Sequence, residues 1–193
     1  MTDPGSYSTL QNEEKNIDIV LITHEHPDHL HVESLKVVLQ NNPQATIVTN
    51  TAVGLLLEKE GIVYKKIEEG NSEVVNSIMV EGFGNKHDEI YKEFGQVQNT
   101  GYFIADKLFY PGDAFTNPNK SVDILALPVA GPWMEIKNAI EYALLLKPRI
   151  AFPVHDGMIK EDRPGPIYRI PAAILPENNI EFIPMVEGDE HEF

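Results

Sequence analysis

The sequence predicts an α/β protein in which short strands alternate with helices. Residues 17–23 and 123–128 are almost continuously apolar, which is typical of strands that are covered on both faces of a sheet. Between and after them, segments with apolar residues at helical spacing alternate with further short β-rich runs. This alternation is the pattern of an α/β fold.

Each predicted element follows from local spacing and from the residues that end it. Residues 30–39 carry apolar side chains at 30, 32, 35, 37, 38 and 39, which form one face of a helix. Residues 51–59 form a second predicted helix, which Gly61 closes. The remaining predictions are strands at 46–49, 64–67, 77–81, 100–105, 108–110 and 150–154, and a helix at 136–146.

Composition and charge exclude several classes of protein. A chain of 193 residues predicts a single domain, 1–193, that is large enough to bury a core. It contains no cysteine, which excludes disulfide scaffolds, iron–sulfur clusters, thiolate zinc fingers and cysteine nucleophiles. Its 30 acidic and 15 scattered basic residues give a net charge of −15, so we expect no nucleic-acid partner.

The sequence shows no signal for export or for a membrane. The longest apolar stretch, 124–134, contains two prolines and is too short to span a bilayer. The first fifteen residues lack the basic-then-apolar pattern of a signal peptide. We therefore expect a cytoplasmic protein with no membrane partner.

A dense cluster of metal-ligand residues follows the first buried strand. Three histidines and one aspartate fall within six residues, His24-Glu25-His26-Pro27-Asp28-His29. In an extended loop, His24 and His26 project to the same side, whereas Asp28 and His29 turn past them toward the next helix. The cluster can therefore serve two adjacent metal positions.

Further ligand residues stand at the ends of later predicted strands. His87 follows the strand near residues 79–82, Asp113 follows the strand at 108–110, and His155 follows the strand at 150–154. Ligands from different strands can converge on one edge of a sheet. Five of the seven histidines belong to this set, which a polar, histidine-rich loop alone does not explain.

These residues resemble the metallo-β-lactamase superfamily, whose signature is HxHxDH followed by a separate His, Asp and His. The segment 24–29 matches the signature in full, and His87, Asp113 and His155 match the remaining positions in order. Residues 99–102, 110–113 and 127–132 resemble the L-ascorbate-6-phosphate lactonase-like branch. The resemblance implies a metallo-β-lactamase αβ/βα four-layer sandwich with metals at one edge of two sheets.

The resemblance also implies a ligand set and a chemistry. His24, His26 and His87 would bind one divalent ion, Asp28, His29 and His155 a second, and Asp113 would bridge both. Zinc is the expected metal, with manganese or iron as alternatives. Asp28 and Asp113 are the predicted catalytic residues, since they offset the charge of the ions and Asp28 can accept a proton from the nucleophile.

Four other residues have two interpretations each. Trp133 follows a buried strand and either lines a substrate pocket or packs in the core. Lys86 and Arg163 are near the metal-binding segments in sequence and either bind a phosphate or carboxylate or are solvated surface. His31 either lies near the site or stands on the surface of the first helical turn.

The resulting expectation is a metal-dependent hydrolase that uses a metal-bridged hydroxide on an ester-like or lactone-like bond of a small anionic molecule. The alternatives are a phosphodiesterase or nuclease of the same fold and a non-catalytic metal-binding protein. Residues 2–5, Thr-Asp-Pro-Gly, resemble a turn that in this superfamily follows N-terminal strands. We therefore expect the first strands to be missing and the exposed sheet edge to be covered in a homo-oligomer.

Overall fold

The computed structural model describes residues 1–159, 165–185 and 187–193. Within these residues the strands form two sheets, of three and seven strands. The strands are β1 (Ile19–Ile22), β2 (Thr46–Thr49), β3 (Lys65–Lys66), β4 (Ser72–Val75), β5 (Ile78–Phe83), β6 (Gly101–Ile104), β7 (Leu108–Tyr110), β8 (Ile124–Pro128), β9 (Ile150–Val154) and β10 (Glu181–Phe182). The helices are α1 (Val32–Asn41), α2 (Thr51–Lys59), α3 (Ile136–Leu146) and α4 (Pro166–Ile174).

The smaller sheet is parallel, in the order β1-β2-β3, and α1 and α2 cover one of its faces. All four residues of β1 are buried, because both faces of this strand are covered. Val20 and Ile22 face the helices and pack with Leu35 of α1 and Leu57 of α2. Each connection from a strand through a helix to the next parallel strand is the unit that the alternating sequence predicts.

The larger sheet has the order β10-β9-β8-β7-β6-β5-β4. Strands β4 to β7 are antiparallel neighbours, whereas β7, β8, β9 and β10 are parallel. As a consequence, β5, β7 and β9 run in the same direction and end at the same edge of the sheet. Helices α3 and α4 pack against this sheet through a core that includes Phe109, Leu125, Leu127 and Ala143.

A third apolar cluster joins the two sheets. Ile19, Leu21 and Val48 of the smaller sheet meet Val80 and Tyr102 of the larger sheet. Neighbouring residues of one strand therefore face opposite layers, as the two-residue period of a strand requires. The order helices, sheet, sheet, helices confirms the predicted α/β four-layer sandwich.

Three elements were not predicted from the sequence. Strand β4 is mostly exposed and β10 has two residues, so neither shows an apolar pattern. Helix α4 begins at Pro166 and contains Pro171, and two prolines in nine residues are atypical of a helix. Proline is compatible with the first helical turn, which explains the start of α4.

The first three residues lie along the outer edge of β1. Thr2 forms a parallel bridge with Leu21, and the backbone N–H of Asp3 donates to the Leu21 carbonyl at 2.8 Å. This pairing carries the Asp3 side chain to the end of β1, where the ligand-rich segment begins. Among the described helices, none is long and apolar enough to cross a membrane.

Candidate metal centre

The topology brings all seven predicted ligand residues to one edge of the two sheets. The segment 24–29 follows β1, and His87, Asp113 and His155 follow β5, β7 and β9. Among the described residues, the donor atoms form three groups in which all atoms lie within 4.8 Å of one another. The groups are His24, His26 and His87; Asp28, His29 and His155; and His24, His29 and Asp113.

The first group consists of three imidazoles that face one another. His24 Nε2 lies 3.1 Å from His26 Nδ1, and the His24 and His87 ring centroids are 5.1 Å apart. A contact of this length is either an N–H···N hydrogen bond between two neutral rings or, with both nitrogens unprotonated, a pair of lone pairs that share one cation. The geometry therefore presents His24 through Nε2 and His26 through Nδ1 to a common point.

The second group adds a carboxylate to two imidazoles. His155 Nε2 lies 3.4 Å from Asp28 Oδ2, and His29 Nε2 lies 3.9 Å from the same oxygen. The His29 and His155 rings stack with their centroids 5.0 Å apart. One carboxylate oxygen and two ring nitrogens are a donor set that zinc and related divalent ions accept.

Asp113 stands between the two groups. Its Oδ2 lies 3.3 Å from His87 Nε2 of the first group and 3.0 Å from His155 Nε2 of the second. Its Oδ1 lies 3.1 Å from His29 Nε2. This carboxylate is therefore placed to contact both metal positions, as the sequence resemblance implies.

A second layer of contacts fixes the orientation of the imidazole rings. In four histidines the Nδ1 atom is already engaged, so that Nε2 points to the centre. The partners are Thr23 Oγ1 for His24 (3.0 Å), Asp3 Oδ2 for His29 (2.7 Å), the Asp88 carbonyl for His87 (2.5 Å) and the Ala130 carbonyl for His155 (2.6 Å). Such partners are the usual way in which proteins set the tautomer and direction of a metal-binding histidine.

Buried atoms without hydrogen bonds test whether these residues fit a metal. Nε2 of His29, His87 and His155 and Oδ1 of Asp113 are buried and make no hydrogen bond within the described structure. Unsatisfied buried polar groups are rare and costly, and here four of them lie together, at the Asp113 carboxylate and around it. Bound divalent ions would satisfy all four, so the donor set fits the metals that the resemblance implies.

The charges of the centre shift the pKa values of its residues. Burial lowers the pKa of His29, but the carboxylates of Asp3 and Asp113 outweigh it and raise the pKa to about 10. Burial also lowers the pKa of His155, yet Asp113 and Asp28 raise it to about 9. These imidazoles in turn hold the pKa of Asp113 well below its usual range, against the effect of burial.

The histidines of the first group behave differently. Burial and the neighbouring His29 lower the pKa of His24 well below its ordinary value. Burial and His87 likewise lower the pKa of His26. Neutral imidazole is the form that coordinates a metal, so these two rings are ready to bind without first releasing a proton.

Comparison with known proteins agrees with this geometry. Residues 1–155 match the family described as the Beta-lactamase superfamily domain. The chain belongs to the metallo-β-lactamase superfamily. The match includes every predicted ligand position, from His24 to His155.

Several relatives and solved structures are similar to this superfamily member. Protein Rv0786c of Mycobacterium tuberculosis is 32% identical over 171 residues, which cover 86% of this chain and 79% of that protein. A UPF0173 metal-dependent hydrolase of Thermoplasma acidophilum is 27% identical, with 74% of this chain and 67% of that protein covered. A putative metal-dependent hydrolase from Parabacteroides distasonis shares the fold, with a TM-score of 0.74, 24% identity and coverage of 95% and 82%.

Asp3 is a site residue of this superfamily member whose role the sequence alone did not predict. One carboxylate oxygen accepts from the Thr23 backbone N–H at 2.7 Å. The other contacts Thr23 Oγ1 and His29 Nδ1 at 2.7 Å each and accepts from the Tyr110 hydroxyl at 2.9 Å. The Asp-Pro-Gly motif signals a turn, but its position beside His29 depends on long-range pairing that the sequence does not display.

Asn99 and Gly112 place Asp113. The Asn99 side chain donates to the Pro111 carbonyl at 2.9 Å and accepts from the Asp113 backbone N–H at 3.0 Å. Gly112 has φ +64, and a Cβ at this position would lie 2.3 Å from Asn99 Oδ1. A glycine immediately before the bridging aspartate is therefore a steric requirement of this turn.

Of the other four residues considered from the sequence, one contacts a predicted ligand, two are exposed and one is not described. Trp133 is buried and donates from Nε1 to Asp113 Oδ2 at 2.8 Å, so it contacts a predicted metal ligand and also packs on Phe115. Lys86 is exposed and does not line the cavity that opens beside Asp28, His29 and His155. Arg163 lies outside the described residues. His31 is exposed and contacts Ser34 Oγ at 2.9 Å, as a residue of the first helical turn does.

Proposed function

We propose that this protein is a hydrolase that uses two divalent metal ions to cleave an ester-like or lactone-like bond of a small molecule. The observation that carries the proposal is the convergence of seven buried or half-buried ligand residues. In four of them, one buried polar atom makes no hydrogen bond to any described residue. The names of relatives in Thermoplasma acidophilum and Parabacteroides distasonis, both called metal-dependent hydrolases, support the reaction class. The likeness of residues 99–102 and 110–113 to lactonases motivates the choice of bond.

The ligand residues would divide between the two ions according to their contacts. His24, His26 and His87 would hold one ion, Asp28, His29 and His155 the other, with Asp113 between them. Bound divalent cations would lower the pKa of a water molecule and polarise the oxygen of the scissile bond. Zinc is the metal that this histidine-rich set favours, with manganese and iron as outcomes to be measured.

Asp28 is the group of this chain that is best placed to accept a proton. Its side chain is 20% exposed and lines the cavity beside the centre, whereas Asp113 is 4% exposed. Burial raises the pKa of Asp28, but contacts with His155 and His29 outweigh it and lower the pKa. The carboxylate is therefore ionised near neutral pH and faces the space from which a substrate would approach.

The first experiment is elemental analysis of the purified protein beside an Asp113→Ala variant. Asp123→Ala is the matched control, because Asp123 lies on the surface, where it pairs with Arg149 at 2.9 Å. We expect close to two equivalents of metal in the parent and the control, and fewer in Asp113→Ala. Circular dichroism of all three proteins separates loss of metal from loss of fold.

Activity is then measured on lactones, carboxylic esters and phosphodiesters with the metal-loaded protein. Hydrolysis of esters or lactones that is lost in Asp113→Ala and kept in Asp123→Ala supports the proposal. Hydrolysis of phosphodiesters alone would replace it with the phosphodiesterase alternative. Two bound metals without hydrolysis across the panel would point to a non-catalytic metal-binding protein.

A further inference from the structure

A cavity of about 510 Å³ opens beside the second metal-ligand group. Asp28, His29 and His155 form part of its wall, so a molecule bound in it lies next to the candidate metal centre. The volume falls within the range of sites that bind small molecules. Tyr7 lines the same cavity from the segment 5–11, which precedes β1 in the chain.

The segment 5–11 packs directly on the loop that carries the predicted ligands. A Cβ at Gly5 would lie 1.7 Å from the Asp28 carbonyl oxygen, so this close approach requires a glycine. The Ser6 backbone N–H donates to the Pro27 carbonyl at 2.9 Å. The start of the segment is therefore fixed relative to Asp28, which lines the cavity.

Gln11 fixes the other end of this segment. It is a buried residue, and its Nε2 donates to the Gly5 carbonyl at 2.9 Å and to the Ser8 carbonyl at 2.6 Å. Its Oε1 accepts from the Ser8 hydroxyl at 2.5 Å. One amide side chain thus connects the two residues that flank the stretch containing Tyr7. Because a buried amide loses much when its partners are removed, Gln11 holds residues 5–8 in one conformation.

Tyr7 is exposed even though its segment is fixed. Its exposed fraction is 56%, and it belongs to none of the three apolar clusters of the described residues. It stands against the turn after β9, where a Cβ at Gly157 would lie 3.2 Å from Tyr7 Cβ. An aromatic ring that is held beside a cavity and is not covered by the core can bury its face against a bound molecule.

From the described residues we infer that Tyr7 determines substrate specificity, because its ring contacts an apolar part of the substrate that extends from the metal centre into the cavity. Gln11 is the positioning residue that holds Tyr7 there. The inference rests on the proposed hydrolase function, since it concerns the substrate of the same centre. Met158, Ile167 and Met185 line the cavity with Tyr7 and would contact the same apolar part.

The test uses three methyl esters that differ only in the acyl group: acetate, hexanoate and 3-phenylpropanoate. We expect the metal-loaded parent protein to prefer the phenylpropanoate, measured as the ratio of its kcat/KM to that of the acetate. Tyr7→Ala should lower this ratio by about tenfold, which is the size of a good aromatic contact. The loss should come mainly from a higher KM for the phenylpropanoate, as expected for a binding contact that is the same in the ground state and the transition state.

Two variants test whether the ring itself is responsible. Tyr7→Phe keeps the ring and should retain most of the preference that Tyr7→Ala loses. Tyr91→Ala is the matched control, because Tyr91 is also an exposed tyrosine, at 66%, and does not line this cavity. The preference should be the same in Tyr91→Ala as in the parent. Metal content is measured in every variant, so that a loss of metal is not mistaken for a loss of substrate contact.

The role of Gln11 is tested by a double-mutant cycle. Gln11→Ala should lower the preference for the phenylpropanoate severalfold, because Tyr7 is no longer held beside the cavity. In the Tyr7→Ala background the same change should have no further effect on this preference. If Gln11 served the fold alone, its loss would affect the acetate and the phenylpropanoate equally in both backgrounds. Urea unfolding measures the accompanying change in stability.

The outcomes separate this inference from the proposed function. Hydrolysis of the esters with the same preference in the parent and in Tyr7→Ala overturns the inference and leaves the hydrolase. Equilibrium binding of the uncleaved 3-phenylpropanamide and of acetamide to the metal-loaded protein is measured by calorimetry. Binding of 3-phenylpropanamide no tighter than that of acetamide also overturns the inference. Tighter binding that Tyr7→Ala weakens about tenfold, with no ester hydrolysed, supports the role of Tyr7 and counts against the proposed function.

Discussion

Replacing Asp3 by asparagine is the sharpest test of how the second metal-ligand group is held. Oδ2 of Asp3 meets three donors, from Thr23 Oγ1, His29 Nδ1 and the Tyr110 hydroxyl, at 2.7–2.9 Å. The oxygen of an asparagine side chain would therefore keep this position. Its amide NH₂ group would then face the Thr23 backbone N–H, which donates to Oδ1 at 2.7 Å in the parent protein.

The expected losses of stability and of metal affinity follow from this arrangement. Asp3→Asn loses one charge-assisted hydrogen bond, leaves the Thr23 N–H unsatisfied, and removes the negative charge beside His29. Hydrogen bonds to charged groups contribute about 1.5–3 kcal/mol, and a buried unsatisfied donor costs a similar amount. We therefore expect a loss of roughly 2–4 kcal/mol in the free energy of unfolding. We also expect a 10- to 100-fold weaker metal affinity, which is typical when a ligand histidine loses its carboxylate partner.

The assay is competition for Zn²⁺ with a chromophoric chelator, combined with urea unfolding of the metal-free protein. Tyr110→Phe is the comparison variant, since it removes one donor from the same carboxylate and leaves its charge and its contact with His29 in place. Its effect on metal affinity should be severalfold smaller. Equal zinc affinity of the parent and Asp3→Asn would refute the view that Asp3 positions His29.

Three further predictions concern the same centre. Trp133→Phe keeps an aromatic ring but loses the 2.8 Å hydrogen bond to the bridging carboxylate, and should weaken zinc binding by about tenfold in the chelator assay; unchanged affinity would contradict this role. Gly112→Ala should lower the free energy of unfolding by about 2–4 kcal/mol, because φ is +64 and the new Cβ would clash. Gly61 has φ +69, and a Cβ added there would have nothing within 4 Å. Gly61→Ala should therefore lower the free energy of unfolding, measured in urea, by only about 1 kcal/mol. Equal losses in the two alanine variants would show that the clash at Gly112 does not contribute. His29 and His155 have pKa values of about 10 and 9 without metal, so protons must leave before metal binds and zinc affinity should rise with pH from 6 to 9. The stability that the protonated rings give to the metal-free protein is fully present below their unfolded pKa of about 6.5 and is lost as pH rises through 9 to 10. Zinc affinity that stays flat over this range would contradict the protonated state of these rings.

The sequence predicted the buried apolar strands and the ligand residues that follow them. The motif after β1 and the single residues after β5, β7 and β9 are placed by local order along the chain, so a pattern search finds them. Asp3 was missed because its role depends on pairing between residues 1–3 and β1. The donation from Trp133 to Asp113 was missed for a similar reason, since spacing does not give the direction of a side chain.

Two short strands and the position of a charged side chain also could not be predicted from the sequence. Strands β4 and β10 form because a neighbouring strand offers hydrogen bonds, and their own residues carry little apolar signal. Lys86 is close to His87 in sequence, but it is exposed and does not line the cavity beside Asp28, His29 and His155. The homo-oligomer and the cytoplasmic location stay predictions that the fold leaves open to measurement.

The separate origins of the ligands give the candidate centre a mechanical role as well as a chemical one. One ion held by His24, His26 and His87 would tie the smaller sheet to the larger, and the second, held in part by His155, would tie in the parallel strands near the C-terminus. Such ties restrict the unfolded chain by closing long loops, as a disulfide bond does in secreted proteins. In a chain without cysteine, the thermal midpoint should follow the free metal concentration, because only the folded chain assembles these sites. Metal supply would then set the lifetime of the protein as well as its activity.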